Sequence, residues 1–149
     1  MAFLNISKKN KNGVLADIDR QNYFLLGAGA SGVSRINLYN FALALGYNRG
    51  LPTDLEAKES FVREENVNHS NMRFMYSAVY FDAHEKKCIE NIENIINTEE
   101  IFSLMDKYAN TGFDILADYI KEHGDNALAY KLIPEMDEMN EEFLRDFAE

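Results

Sequence analysis

Cysteine, proline and tryptophan are scarce in this chain of 149 residues, which has one cysteine, two prolines and no tryptophan. The single cysteine, Cys88, excludes a disulfide within the chain and any zinc site built from several cysteines. This composition fits a reducing compartment, so we expect a cytoplasmic protein. The sequence also lacks an apolar run of about 18 residues and a basic start followed by an apolar stretch, so it predicts neither a membrane span nor a secretion signal.

Positive charge is also in the minority, because 15 Lys and Arg residues oppose 25 Asp and Glu residues, for a formal net charge of −10. The first 50 residues sum to +4 and the other 99 to −14. Such an excess of negative charge repels a nucleic-acid backbone, so we expect no strong direct binding to nucleic acid. Hydrophobic residues make up 46% of the chain, which is enough for one packed domain over residues 1–149.

Helical spacing of apolar residues dominates the chain, and no stretch alternates in the period-two manner of a strand. Thr53 and Glu56 have the spacing of a capping box, and Gly46 is a suitable residue to end the helix before them. We predict an all-α fold, a single multi-helix domain with a basic N-terminal segment, an acidic C-terminal helix and one place for a short strand at 23–26. The spacing predicts helices over 34–46, 53–65, 72–86, 88–96, 99–123 and 134–149.

Small residues at two places predict close helix contacts. Ala42, Ala44 and Gly46 let a second helix approach the first predicted helix. Asn110 and Gly112 interrupt the apolar stripe of the longest predicted helix, where glycine costs about 1 kcal/mol relative to alanine. We therefore expect a kink or a close contact at this point, with another helix or with a partner.

A glycine-rich segment at residues 27–32 matches the pattern G-x-G-x-x-G and is similar to the opening loop of sirtuin-like NAD-binding domains. Gly27, Gly29, Ser31 and Gly32 are the residues that would hold a nucleotide there. A dinucleotide fold also needs a second buried strand and an acidic residue about 20 positions later, and neither follows. We therefore predict a tightly turned connector and no cofactor, with a nucleotide- or NAD-binding enzyme as the alternative.

Other chemistry-bearing residues form no complete site in the sequence. His84 and Cys88 share one helical face, but no neighbouring ligand completes a metal site, so we predict none. Carboxylate pairs such as Glu99–Glu100 fit solvated helical faces, so we predict no catalytic residues. The basic cluster Lys8–Lys11 is interpreted as a solvated N-terminal tail.

The C-terminal segment is an acidic amphipathic helix whose first position suits Pro134. Met136, Met139, Phe143 and Phe147 recur at spacings of three and four and therefore share one face. This face can pack on its own domain or dock on a partner. We favour the partner, because seven acidic residues surround the stripe and complement a basic groove.

Two further motifs carry a family resemblance. Leu38–Gly50 reads LYNFALALGYNRG, and Lys107–Leu116 reads KYANTGFDIL. Together with Pro52 and Phe61–Glu65, they resemble the DNA phosphorothioation (Dnd) system-associated protein 4 family over about residues 34–120. The glycine-rich segment and the acidic tail are not typical of that family. The resemblance implies a context in bacterial DNA modification and anti-phage defence, and it implies no catalytic residue.

These patterns lead to one functional hypothesis with two alternatives. The hypothesis is a non-enzymatic helical accessory subunit that binds a protein partner in such an assembly. The first alternative is the nucleotide-binding enzyme described above. The second is an acidic inhibitor that imitates DNA, and self-association is left open.

Overall fold

The computed structural model describes residues 3–21, 35–64, 76–81, 98–124, 131 and 133–148. These residues are mostly helical and include one two-stranded sheet, which confirms the predicted predominantly helical fold. The strand predicted at 23–26 and the helix predicted at 88–96 lie outside the described residues. No helix in the described part of the chain is long and apolar enough to span a membrane.

The chain begins with a strand, β1 (Phe3–Ser7), which leads into helical residues: α1 (Lys8–Asn10), a π-helical turn (Lys11–Leu15) and α2 (Ala16–Gln21). The remaining elements are α3 (Arg35–Arg49), β2 (Lys58–Arg63), α4 (76–81), α5 (Thr98–His123) and α6 (Ile133–Ala148).

Helices α3 and α5 cross with their backbones in direct contact. A Cβ atom at Gly112 would lie 1.7 Å from the carbonyl oxygen of Ala42, and one at Gly46 would lie 1.7 Å from that of Tyr108. The close contact predicted at Gly112 is therefore confirmed, and it is made within the chain. Ala44, which the sequence placed in the same contact, is exposed instead.

The sequence predicted that Gly46 ends the first long helix. Gly46 is instead buried within α3 at this crossing. The helix continues to Arg49, and Gly50 adopts a left-handed φ of 70° that glycine accommodates without strain. The end of α5 agrees with its prediction, since Gly124 has a φ of 58° directly after His123.

Large side chains fill the core around the crossing, and β1 and β2 contribute Leu4, Ile6 and Val62 to it. Among the fully buried side chains on the two helices are Leu38, Tyr39, Leu43, Met105, Tyr108, Phe113 and Leu116. Tyr47 meets Tyr108 edge to face at 5.4 Å between ring centroids, and Phe61 meets Phe113 at 6.0 Å. The sheet and the two helices thus share one hydrophobic core.

The helix predicted over 53–65 is wrong, because residues 58–63 form β2, which pairs antiparallel with β1. The residues before it are bound to α5, since the Thr53 amide donates to the Lys107 carbonyl at 3.1 Å. Thr53 Oγ1, expected to cap a helix, accepts a hydrogen bond from Asn110 instead. Pairing with a strand about 55 residues earlier in the chain outweighs the local capping signal. Contacts with distant segments often override local preferences in this way.

The prediction that Lys8–Lys11 form a solvated tail is also wrong, because these residues form the start of the N-terminal helical stretch. The Asn10 amide donates to Ser7 Oγ at 3.2 Å, and the Lys8 amide donates to the Ala57 carbonyl at 2.8 Å. Lys11 pairs with Glu59 on β2, which lowers the pKa of that carboxyl group. The lysines therefore belong to a folded edge of the domain.

We expect Gly112→Ala to lower the free energy of unfolding by about 1–3 kcal/mol or more, because the added methyl group meets the Ala42 backbone. Urea denaturation of the purified variants measures this change. Gly13→Ala is the matched control, since a Cβ at Gly13 meets nothing within 4 Å. Equal stability of the two variants would contradict the close crossing.

Candidate protein-docking surface

Helix α6 is held to the domain at its first turn by three side chains. Glu135 accepts a hydrogen bond from the Arg49 guanidinium group at 3.2 Å and another from the Tyr119 hydroxyl group. Arg49 also donates to the Tyr119 hydroxyl oxygen at 3.1 Å. We call Arg49, Tyr119 and Glu135 the anchor cluster, because it joins the ends of α3 and α5 to the start of α6.

The anchor cluster orients α6 more than it stabilises the domain. Burial raises the pKa of Tyr119, and its hydrogen bond to Glu135 raises it further, while Arg49 opposes the shift. Tyr119 therefore stays protonated and donates to Glu135 at neutral pH. Because Arg49 is about half exposed, water screens its ion pair with Glu135, and such a pair contributes roughly 0–1 kcal/mol.

Three large apolar side chains of α6 are exposed: Ile133 at 47%, Met136 at 50% and Leu144 at 56%. At about 100° per residue, they fall within an arc of about 80° around the helix axis. Glu135 lies about 140° from the centre of that arc on the same geometry. The exposed apolar side chains therefore point away from Glu135, the residue that joins the first turn of α6 to the domain.

The four predicted partner-binding residues all lie in α6, but the structure describes only one of their side chains. Met136 is exposed, as a docking residue must be. The side chains of Met139, Phe143 and Phe147 are outside those that the structure describes. For these three residues, docking on a partner stays a prediction.

Acidic side chains lie along one edge of the apolar arc. Asp137 and Glu141 are exposed and lie within about 60° of its edge on the same helical geometry. Glu138 and Glu142 are also exposed but lie on the opposite side of α6. The exposed face of α6 thus combines three apolar side chains, with the exposed Asn140 between Met136 and Leu144, and negative charge along one edge.

Most other predicted candidates cannot be placed. The glycine-rich segment with Gly27, Gly29, Ser31 and Gly32 lies outside the described residues, and so do His84 and Cys88. Within the described ranges, no group of three or more His, Cys, Asp or Glu residues is arranged to hold a metal ion. The nucleotide-binding alternative therefore stays a prediction.

Asp106 is a buried carboxylate that sequence reasoning missed. It is only 1% exposed, and it accepts hydrogen bonds from the Asn5 amide and side chain, both at 2.9 Å, and from the Tyr39 hydroxyl group at 2.7 Å. The signal in the sequence is an aspartate on a helical face that is otherwise apolar, with Phe102 four residues before it and Phe113 seven after it.

The bonds of Asp106 explain an irregularity in the sheet. Leu4 lies opposite Val62 but Asn5 lies opposite Ser60, so Phe61 is an extra residue on β2. At this bulge the Asn5 amide donates to Asp106 on α5. Asp106 therefore ties β1, α3 and α5 together, and since its carboxylate is occupied by these donors, we assign it a structural role.

A polar cleft of about 400 Å³ lies between residues 7–12, residues 53–57 and α5. Asn110 forms part of its lining and is engaged within the chain, because it donates to Thr53 Oγ1 at 3.0 Å and accepts from Asn10 at 2.9 Å. Lys9 and Asp114, which also line the cleft, pair with each other at 3.7 Å. These internal bonds account for the polar Asn110 within the apolar stripe of α5, since it joins α5 to two neighbouring segments.

Comparison with protein families, with curated proteins and with solved structures finds no match to this chain. The resemblance of its motifs to the Dnd system-associated protein 4 family therefore stays a prediction.

We expect the stability of the protein to fall, relative to that of Asp106→Asn, as the pH rises from about 3.5 to 7. Burial raises the pKa of Asp106 above its usual value, and the hydrogen bonds from Asn5 and Tyr39 only oppose this shift. A carboxyl group with a raised folded pKa stabilises the fold fully below its unfolded pKa and loses that contribution as the pH rises through the folded pKa. Urea denaturation of both proteins across this range measures the difference. The opposite slope would mean that the hydrogen bonds outweigh burial.

We expect removal of residues 133–149 to leave the domain folded, with a loss of about 1 kcal/mol or less in the free energy of unfolding. The anchor cluster is the main described attachment of α6, and its ion pair is partly exposed. Circular dichroism during thermal and urea denaturation measures this loss. An insoluble protein, or one that unfolds many degrees lower, would place α6 in the core.

Proposed function

We propose that this chain is a non-enzymatic helical accessory protein that binds another protein through α6. The observation that carries the proposal is the orientation of this helix. Its anchor cluster faces the domain, while Ile133, Met136 and Leu144 are exposed on the other side. Apolar side chains grouped on one exposed helical face are typical of helices that bind in a groove of a partner.

The length and shape of α6 suit binding in a groove. Its 16 residues span about 24 Å, and its apolar residues recur at the spacing that groove-bound helices use. An isolated helix of this length is marginal in water. The anchor cluster supports its first turn, so a partner meets a helix that is already partly formed, and less ordering entropy opposes binding.

The proposed setting is a bacterial DNA-modification or anti-phage defence assembly. Its support is the motif resemblance over residues 34–120. In the structure these motifs fall on α3 and α5, where Gly46 and Gly112 form the helix crossing. The resemblance therefore concerns the pair of helices α3 and α5. Helix α6 is the part proposed to distinguish this chain from that family.

We expect the double variant Met136→Ser with Leu144→Ser to lose its partner without losing stability. Each of these side chains contributes about 1.5–3 kcal/mol when fully buried, so recovery of the partner falls at least about tenfold. Affinity purification of the tagged full-length chain from its native cells, quantified by mass spectrometry, measures this loss.

Leu51→Ser is the matched control, because Leu51 is also a large exposed apolar residue but lies outside α6. The control retains the partner proteins that the double variant loses. Retention of every partner by the double variant would contradict docking through α6. A large fall in its melting temperature would show that α6 packs on its own domain.

A further inference from the structure

We infer that the partner of α6 is a different protein whose apolar groove is bordered by lysine or arginine side chains. This inference rests on the proposed function and adds the chemistry of the partner. It follows from the border of the apolar arc and from the pairing of this chain's own basic residues.

One edge of the arc carries an excess of negative charge, since the only basic residue of α6 near Asp137 and Glu141 is Arg145, four positions after Glu141. Residues 134–149 include seven acidic residues and one basic residue, Arg145. Arg49 from α3 pairs with Glu135, which lies on the side of the anchor cluster. Asp137 and Glu141 beside the apolar arc have no ionic partner among the described residues. A groove that covers the arc therefore brings its rim close to two carboxylates.

A neutral or acidic rim would place these carboxylates in a poor environment. Desolvation of an unpaired carboxylate at an interface is unfavourable, whereas a basic rim offers partners of opposite sign. Opposite potentials also accelerate the encounter of the two proteins. In a groove without basic residues, the desolvation of Asp137 and Glu141 would weaken the binding that the apolar contact provides.

A second copy of this chain fits the site poorly. Two α6 helices packed face to face would bring Asp137 and Glu141 of both copies together, and like charges at such flanking positions oppose pairing. Many basic residues elsewhere on the domain are already paired with its own acids. Examples of these pairs are Lys9–Asp114, Lys11–Glu59, Arg35–Asp19 and Lys107–Asp54.

Two charge-reversal variants of the full-length chain test the inference. Asp137→Lys with Glu141→Lys reverses the border of the apolar arc. Glu138→Lys with Glu142→Lys makes the same change in net charge, at the same spacing, on the opposite side of α6. The two variants therefore have the same net charge and differ in which side of α6 carries the new lysines.

The binding probes are two synthetic three-heptad helical peptides with leucine at positions a and d. One carries lysine at the flanking e and g positions, and the other carries glutamate there. We expect the native chain to bind the lysine peptide at least about tenfold more tightly in fluorescence anisotropy, with the preference shrinking at high salt. The Asp137/Glu141 variant reverses this preference, and the Glu138/Glu142 variant retains it.

Three results would overturn the inference. The first is equal binding of the two peptides, or binding of neither. The second is an equal effect of both charge-reversal variants. The third is a dimer of the native chain in sedimentation velocity that the Met136/Leu144 double variant abolishes, which would make a second copy the occupant.

The cell-based purification separates failure of this inference from failure of the proposed function. If the Met136/Leu144 variant loses its partners while the Asp137/Glu141 variant keeps them, α6 is a docking helix whose partner has no basic rim. If neither variant loses a partner, α6 is not the docking helix.

Discussion

Close backbone contact between α3 and α5 is the constraint on which the rest of the structure depends. The carbonyl groups of Ala42 and Tyr108 occupy the space that side chains would fill at Gly112 and Gly46. Any larger residue at either glycine forces the helices apart, and with them the core side chains on both. The same crossing positions Arg49 and Tyr119, at the ends of the two helices, where they hold the first turn of α6.

Polar side chains lock the remaining elements onto this helix pair. Asp106 accepts hydrogen bonds from β1 and α3, and Asn110 binds the N-terminal helical residues and the segment before β2. Burial of the Asp106 and Asn110 side chains is unfavourable unless all of their hydrogen-bond partners are in place. Such groups select one arrangement of the strands against the helices, whereas apolar packing alone tolerates several.

Helix α6 differs from the other long helices because its described apolar side chains face water. A helix that stabilised its own domain would turn Met136 and Leu144 inward and leave its carboxylates outside. Here Glu135 contacts the domain while Ile133, Met136 and Leu144 face outward, and this arrangement is the basis of the proposed docking role. In the proposed role, the acidic edge of α6 selects partners of opposite charge.

Local pattern was enough to predict the helical class, the extent of α5, the acidic helix starting at Pro134, and the need for a close contact at Gly112. These features follow from periodicity and from the intrinsic preferences of glycine and proline, which act over a few residues. The pairing of β1 with β2, the continuation of α3 past Gly46 and the ties made by Asp106 depend on residues about 50 to 100 positions apart. Likewise, the sequence showed the apolar periodicity of the last helix, but only the tertiary structure decided that Met136 is exposed, because the direction of a helix face is set by its contacts with other elements.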